Sequence, residues 1–236
     1  MGDPVIFIPP MLSDARVFED QIAELSRDHP VVFAPLMDGD SIAALATQIL
    51  KWAPKEFAIA GAGMGGNVAL EILNRAPKRV TRLALINTNA RADTPKTAAD
   101  REPRIIAAKA GRFHHALDQE WTPAHFCGQT DVESLVPLLV DMATRMGPDV
   151  YIKQTRAMQK RKDQQAILRK IKQPALVISG DCDLENTLRR QEFVAEMIPY
   201  AKHKVIKGAG LLPSLEQPVK LSKILREWCR QPLILR

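Results

Sequence analysis

Cysteine is scarce in this chain, and long apolar runs are missing altogether. Three cysteines, Cys127, Cys182 and Cys229, stand far apart in 236 residues, odd in number and without a CxxC pair. That pattern argues against a disulfide framework or a zinc site and predicts free thiols in a reducing compartment. No apolar stretch approaches the roughly 18 to 20 residues needed to cross a bilayer, and the opening residues MGDPVIFIPP lack the basic flank of a signal peptide. The expectation is a cytoplasmic protein without a membrane partner. The excess of positive charge, a net +6, gathers in Lys153 to Lys172. This stretch has no interleaved aromatic residues of the kind single-strand binders stack bases upon, so it reads as a solvated helix face and not as a nucleic-acid interface.

What is present is an alternation of short apolar strands and helix-like segments. Strands are expected at Val5 to Pro9, Val31 to Pro35, Phe57 to Ala60, Val80 to Asn87, Ala175 to Ser179 and His203 to Ile206. Helices are expected at Phe18 to Leu25, Ser41 to Ala53 with Ser41 as N-cap, Gly65 to Ala76, Leu188 to Met197 and Pro218 to Trp228. Such alternation implies a mostly parallel sheet flanked by helices, since each parallel return needs a crossover. Between Asn87 and Gln173 the pattern is helical only, at Arg104 to Leu117, Val132 to Met146 and Tyr151 to Ile171. Inserted between two strands, that segment would sit over their carboxyl ends, where open α/β sheets bind ligands.

The stretch FAIAGAGMGGNVAL, Phe57 to Leu70, is a strand that breaks into a glycine turn and enters a helix. With the order of elements around it, this stretch resembles the α/β-hydrolase fold family, in which the turn reads G-x-S-x-G and lifts a nucleophilic serine above the sheet. The resemblance covers nearly the whole chain and implies a core of residues 1–91 and 173–236 with a helical cap at 92–172. It implies an ancestral activity on a small ester or lactone, a small-molecule ligand and no cofactor.

The aligned turn is Gly61, Ala62, Gly63, Met64 and Gly65, so the serine position holds Gly63. The phrase KGAGLLPSLEQP resembles the family's G-x-G-H-x-P loop, with Leu211 at the position of the histidine base. Asp183 in SGDCD corresponds to the carboxylate that orients that histidine, with Asp181 as the near alternative. The resemblance assigns oxyanion-hole donors to the backbone amides of Met64 and Met11, the latter in the loop PPML, where the usual His-Gly gives way to Pro9 and Pro10. Small residues at Ala62 and Gly63 should enlarge the pocket floor.

A nucleophile and its base act as a unit, so serine-hydrolase activity is predicted absent. Two readings remain. In one, the pocket is degenerate or rebuilt, by nature or by engineering, with Glu185 or Asp183 as general base and Asn67 and Asn186 as pocket amides. A carboxylate beside a dry apolar pocket would have a raised pKa suited to that task. In the other, the fold is a non-catalytic binding or interaction scaffold. His114 and His115 fall in an expected helix, and His125 follows Trp121 in WTPAHF, from where it could reach down toward the sheet. None of these histidines has metal-ligand spacing, so no metal site is expected. Nothing in the sequence specifies an oligomeric state.

Overall fold

The computed structural model describes residues 2–233. Six strands, β1 (Val5–Ile8), β2 (Val31–Phe33), β3 (Phe57–Ala62), β4 (Val80–Ile86), β5 (Ala175–Gly180) and β6 (Lys202–Ile206), form one sheet in the order β2-β1-β3-β4-β5-β6. Every neighbouring pair is parallel. β1, β3 and β5 are buried throughout, which explains why they read as continuous apolar runs and not as alternating ones.

The pleat divides these residues between two cores. Ile6, Ile8, Ile59, Leu83, Leu85 and Val177 pack on one face, beneath α2 (Ile42–Trp52), α3 (Met64–Arg75) and, further along the chain, the helix Leu188–Met197. Val5, Phe7, Ala58, Ala60, Ile86 and Ile178 pack on the other, against α1 (Glu19–Leu25) and the last helix, Pro218–Cys229. Ser41 caps α2 as its sequence position predicts, its Oγ accepting from the Ala44 amide at 3.2 Å.

Between β4 and β5 the chain forms α4 (Pro95–Asp100), α5 (Glu102–Lys109), α6 (Phe113–Leu117), α7 (Val132–Met146), α8 (Pro148–Gln159) and α9 (Gln165–Leu168). Two expected helices are each broken in two. The segment 104–117 divides at Gly111, whose φ of 77° ends α5. The segment 151–171 divides between Gln159 and Gln165, where the chain turns so that Arg161 reaches Asp93 at 2.6 Å. Both side chains of that pair are at least 95% buried, at 5% and 2% exposure, and burial pulls the guanidinium below its ordinary pKa while Asp93 opposes the shift. Three more basic residues of this region pair with carboxylates: Lys153 with Asp38, Lys160 with Asp40 and Arg156 with Glu102.

After β5 follow α10 (Leu188–Met197), α11 (Pro213–Glu216) and α12 (Pro218–Cys229). The inserted helices pack on two loops at the carboxyl ends of the strands. Leu12, just after β1, joins Ala108, Phe113, Ala116, Ala143 and Tyr151. Leu211 and Leu212, after β6, join Phe126, Leu135, Leu139 and Met142.

Candidate functional site

The order of strands reverses between β1 and β3: β2 leaves β1 on one side and β3 returns on the other. At such a switch point two loops diverge from the carboxyl ends and leave a crevice for a ligand. The loops that meet there are Pro9–Leu12 and the turn at Gly63.

Gly63 has φ 50° and ψ −116°, a conformation that a residue with a Cβ adopts only under strain. Its neighbours explain how the turn is held. A Cβ on Gly61 would collide with the Gly65 carbonyl, and one on Gly65 with the Ile8 carbonyl. The glycines therefore let β3, α3 and the end of β1 approach to backbone contact. The Gly63 amide donates to Ile86 O at 2.9 Å, and Gly66 N donates to Gly63 O at 3.1 Å. In front of Gly63 the turn is open, since a Cβ there would meet Pro10 Cβ at 3.5 Å, an ordinary contact.

Met64 is the first residue of α3, so its amide has no acceptor within the helix and lies at the positive end of the helix dipole. Met11 is half-buried in the other crevice loop and is followed by Leu12 at φ 57°. That left-handed residue is fixed from the inserted segment: its amide donates to Gln154 Oε1 at 2.8 Å, while Gln154 Nε2 donates to Leu36 O at 2.7 Å.

The loop after β6 is tied down differently. Asn87, at φ 44° just beyond β4, donates through Nδ2 to Gly210 O at 2.8 Å and Leu211 O at 3.0 Å, and its Oδ1 accepts from Gly180 N at 3.0 Å. Asparagine tolerates that φ better than most residues. Glu216 Oε2 accepts from Gly210 N, Cys127 N and Thr130 Oγ1 at 2.8 to 2.9 Å, and its Oε1 accepts from Leu212 N at 2.9 Å. One carboxylate thus joins the 210–212 loop to the inserted segment. The Leu211 amide donates to His125 O at 2.8 Å, and the Leu211 side chain belongs to the apolar cluster around Phe126 and Leu139.

The carboxylates expected as bases stand in unlike surroundings. Asp183 is 4% exposed and spends its oxygens on its own loop: Oδ1 accepts from the amides of Glu185 and Asn186, each at 2.8 Å, and Oδ2 accepts from Asn186 Nδ2 at 3.2 Å. Asp181 Oδ1 accepts from Gly208 N at 2.8 Å. Glu185 does not border a dry apolar pocket, for its side chain is 65% exposed. The reason is local: Asp183 draws the amides of residues 185 and 186 inward, which turns the Glu185 side chain out toward solvent. Its Oε1 lies 3.7 Å from Nε2 of His125. Nδ1 of that histidine accepts from the Thr122 amide at 3.0 Å, which leaves Nε2 as the ring nitrogen that faces Glu185. His125 meets the loops after β6 and β5 through its carbonyl and its ring, whereas His114 and His115 remain on α6.

Of the expected pocket amides, Asn186 is consumed by Asp183, and Asn67 is buried in a different network. Asn67 Nδ2 donates to Asn89 O and to Gln164 Oε1, and its carbonyl accepts from Gln164 Nε2, which binds α3 to the start of α9. Ala62 is buried at 6% exposure. Two cavities open elsewhere on the surface. One, of about 620 Å³, lies along α10 and includes Arg91, Arg189 and Phe193. The other, of about 410 Å³, lies beside β2 and includes Met37 and Trp52. Neither includes Gly63 or Leu211, so the widened pocket floor expected from Ala62 and Gly63 is not a feature of either.

Two of the three cysteines are not free thiols. Cys127 and Cys182 form a disulfide with Cα atoms 5.3 Å apart, which leaves buried Cys229 as the free one. A separation of 55 residues gives no local signal of that pairing. Asp181 brings a carboxylate oxygen to within 4.8 Å of both sulfurs, but a cation would need the two as thiolates, which the bridge precludes. Sequence reasoning also missed Asn87 and Glu216, whose partners lie 86 to 124 residues away or within a loop whose path the sequence leaves open.

No protein-family model matches the sequence, and no curated protein matches it. Solved structures do. A thermophilic esterase from Thermogutta terrifontis, in a malate-bound structure, superposes with a TM-score of 0.86 at 22% identity over 98% of this chain and 90% of that one. An enol-lactonase from Burkholderia xenovorans LB400 gives 0.85 at 22% identity, covering 98% and 92%. MenH from S. aureus gives 0.81 at 19% identity, covering 96% and 92%.

Proposed function

This chain has the α/β-hydrolase fold, and we propose that it uses the fold to bind a small carbonyl or carboxylate compound without nucleophilic catalysis. The observation that carries the reading is Gly63, which keeps a φ of 50° at the turn with open space before it and no side chain. The amide of Met64 at the helix start, aided by that of Met11, forms the oxyanion hole and holds the ligand oxygen. The segment between β4 and β5 serves as the cap. With Gly63 and Leu211 in place of serine and histidine, hydrolysis by the serine route falls by about a millionfold, the loss typical when such a unit is removed.

Malate, bound in one similar esterase structure, is a sensible first probe, followed by short monocarboxylates. Titration followed by amide chemical shifts should move Met64 and Met11 together and saturably, and Gly63→Leu should abolish the effect by filling the turn. If neither amide responds to any of these compounds, the reading is wrong.

A second reading, proton transfer from an activated carbon acid, has one observation in its favour: Glu185 and His125 stand 3.7 Å apart at the rim of the 210–212 loop. Asp183 is the weaker base for it, because its oxygens are already occupied by donors. A pH-rate profile that is the same for the parent chain and Glu185→Gln removes Glu185 from any catalytic role.

A further inference from the structure

We infer that Cys127 and Cys182 are a reversible thiol-modification site that latches the inserted segment to the loop after β5. The two residues belong to separate parts of the chain. Cys127 follows the short 3-10 turn Pro123–His125, and Cys182 lies two residues beyond β5. Their Cα separation of 5.3 Å falls in the middle of the range a disulfide spans without backbone movement. Both backbones converge on the same stretch: Cys182 N donates to Ala209 O at 2.9 Å, and Cys127 N donates to Glu216 Oε2 at 2.9 Å.

Little else joins these two loops. Among the described hydrogen bonds and ion pairs, residues 121–131 meet residues 181–187 otherwise through the 3.7 Å approach of His125 to Glu185. No apolar clasp supports them either, since Leu184 is 67% exposed. The covalent link is therefore the main tie between residues 121–131 and the loop that carries Asp183.

Accessibility sets the direction of opening. Cys182 is partly exposed next to exposed Asp181, whereas Cys127 is buried at 9% exposure. A thiolate from a small dithiol attacks Cys182 Sγ, and the electron pair of the S–S bond leaves on Cys127 Sγ, which takes up a proton. The second thiol of the reagent then attacks its own sulfur in the mixed disulfide and releases Cys182 as a thiolate. Two electrons pass from the dithiol, which ends as a disulfide, to the protein pair.

Dithiothreitol acting on the full chain tests this, read by maleimide labelling with peptide mass mapping and by amide hydrogen exchange. Cys229 serves as the internal control, because burial pushes its thiol pKa up to about 11 and keeps it slow to label. In air-equilibrated protein neither Cys127 nor Cys182 should label, and after reduction both should. Exchange within 121–131 should then rise about tenfold while β3 and β4 stay protected. Cys127→Ser/Cys182→Ser should show the faster exchange in both buffers. Two outcomes overturn the inference: both cysteines labelling in the air-equilibrated chain, or reduction that leaves exchange in 121–131 unchanged.

Discussion

The turn at Gly63 and the loop at Leu211 face the same end of the sheet, yet they are held by opposite means. The turn is fixed by backbone. Gly61 and Gly65 allow three segments to touch, and the hydrogen bonds that shape the apex run between main-chain groups of β3, β4 and α3. The loop is fixed by side chains that come from elsewhere: Asn87 from the end of β4, Glu216 from α11 and the apolar cluster of the inserted segment. A side chain at the apex of the turn is thus dispensable to its geometry, while Leu211 has become part of the packing around it. The turn holds its shape through backbone contacts with no side chain at its apex, and the loop holds its own by packing the side chain of Leu211.

The largest effect that sharpens this contrast should come from Gly65→Ala. Its methyl would press on the Ile8 carbonyl, a backbone atom that cannot move aside, and the loss of stability should be about 4 kcal/mol or more. Glu216→Gln comes next, at about 2 kcal/mol, because one of the four donors now facing a carboxylate would face an amide NH2. Gly63→Ala should cost least, about 1 to 2 kcal/mol of backbone strain, since only Pro10 lies near the new methyl, at 3.5 Å. Urea denaturation of the three variants measures all of these. An order in which Gly63→Ala is the most damaging would break the comparison.

The turn was legible in the sequence for the reason that it is robust. Its requirement is glycine at fixed offsets beside an apolar strand, and both marks are local. The strands and outer helices were legible on the same ground, with Ser41 and the span Leu188–Met197 found where propensity puts them. The inserted segment was less so. Its periodicity runs through Gly111 and through Arg161, yet the chain breaks at both, in one case for a positive φ and in the other to bury an ion pair with Asp93. The binding groups of the 210–212 loop left no local mark at all. Glu216 meets Cys127 across 89 residues, and Asn87 meets Gly210 across 123, so no spacing rule could pair them. The same distance hid the Cys127–Cys182 bridge, and the solvent-facing turn of Glu185 follows from hydrogen bonds that only the folded loop reveals.

The most direct measurement is hydrolysis of an activated ester by Gly63→Ser/Leu211→His, with Gly63→Ser alone and the parent chain beside it. If the turn retains the geometry of a nucleophile elbow and lacks only its reactive groups, the double variant should release product measurably above the other two, with an initial acyl burst, while Gly63→Ser alone stays near the parent. A double variant that is folded by circular dichroism and as inert as the parent would contradict that account.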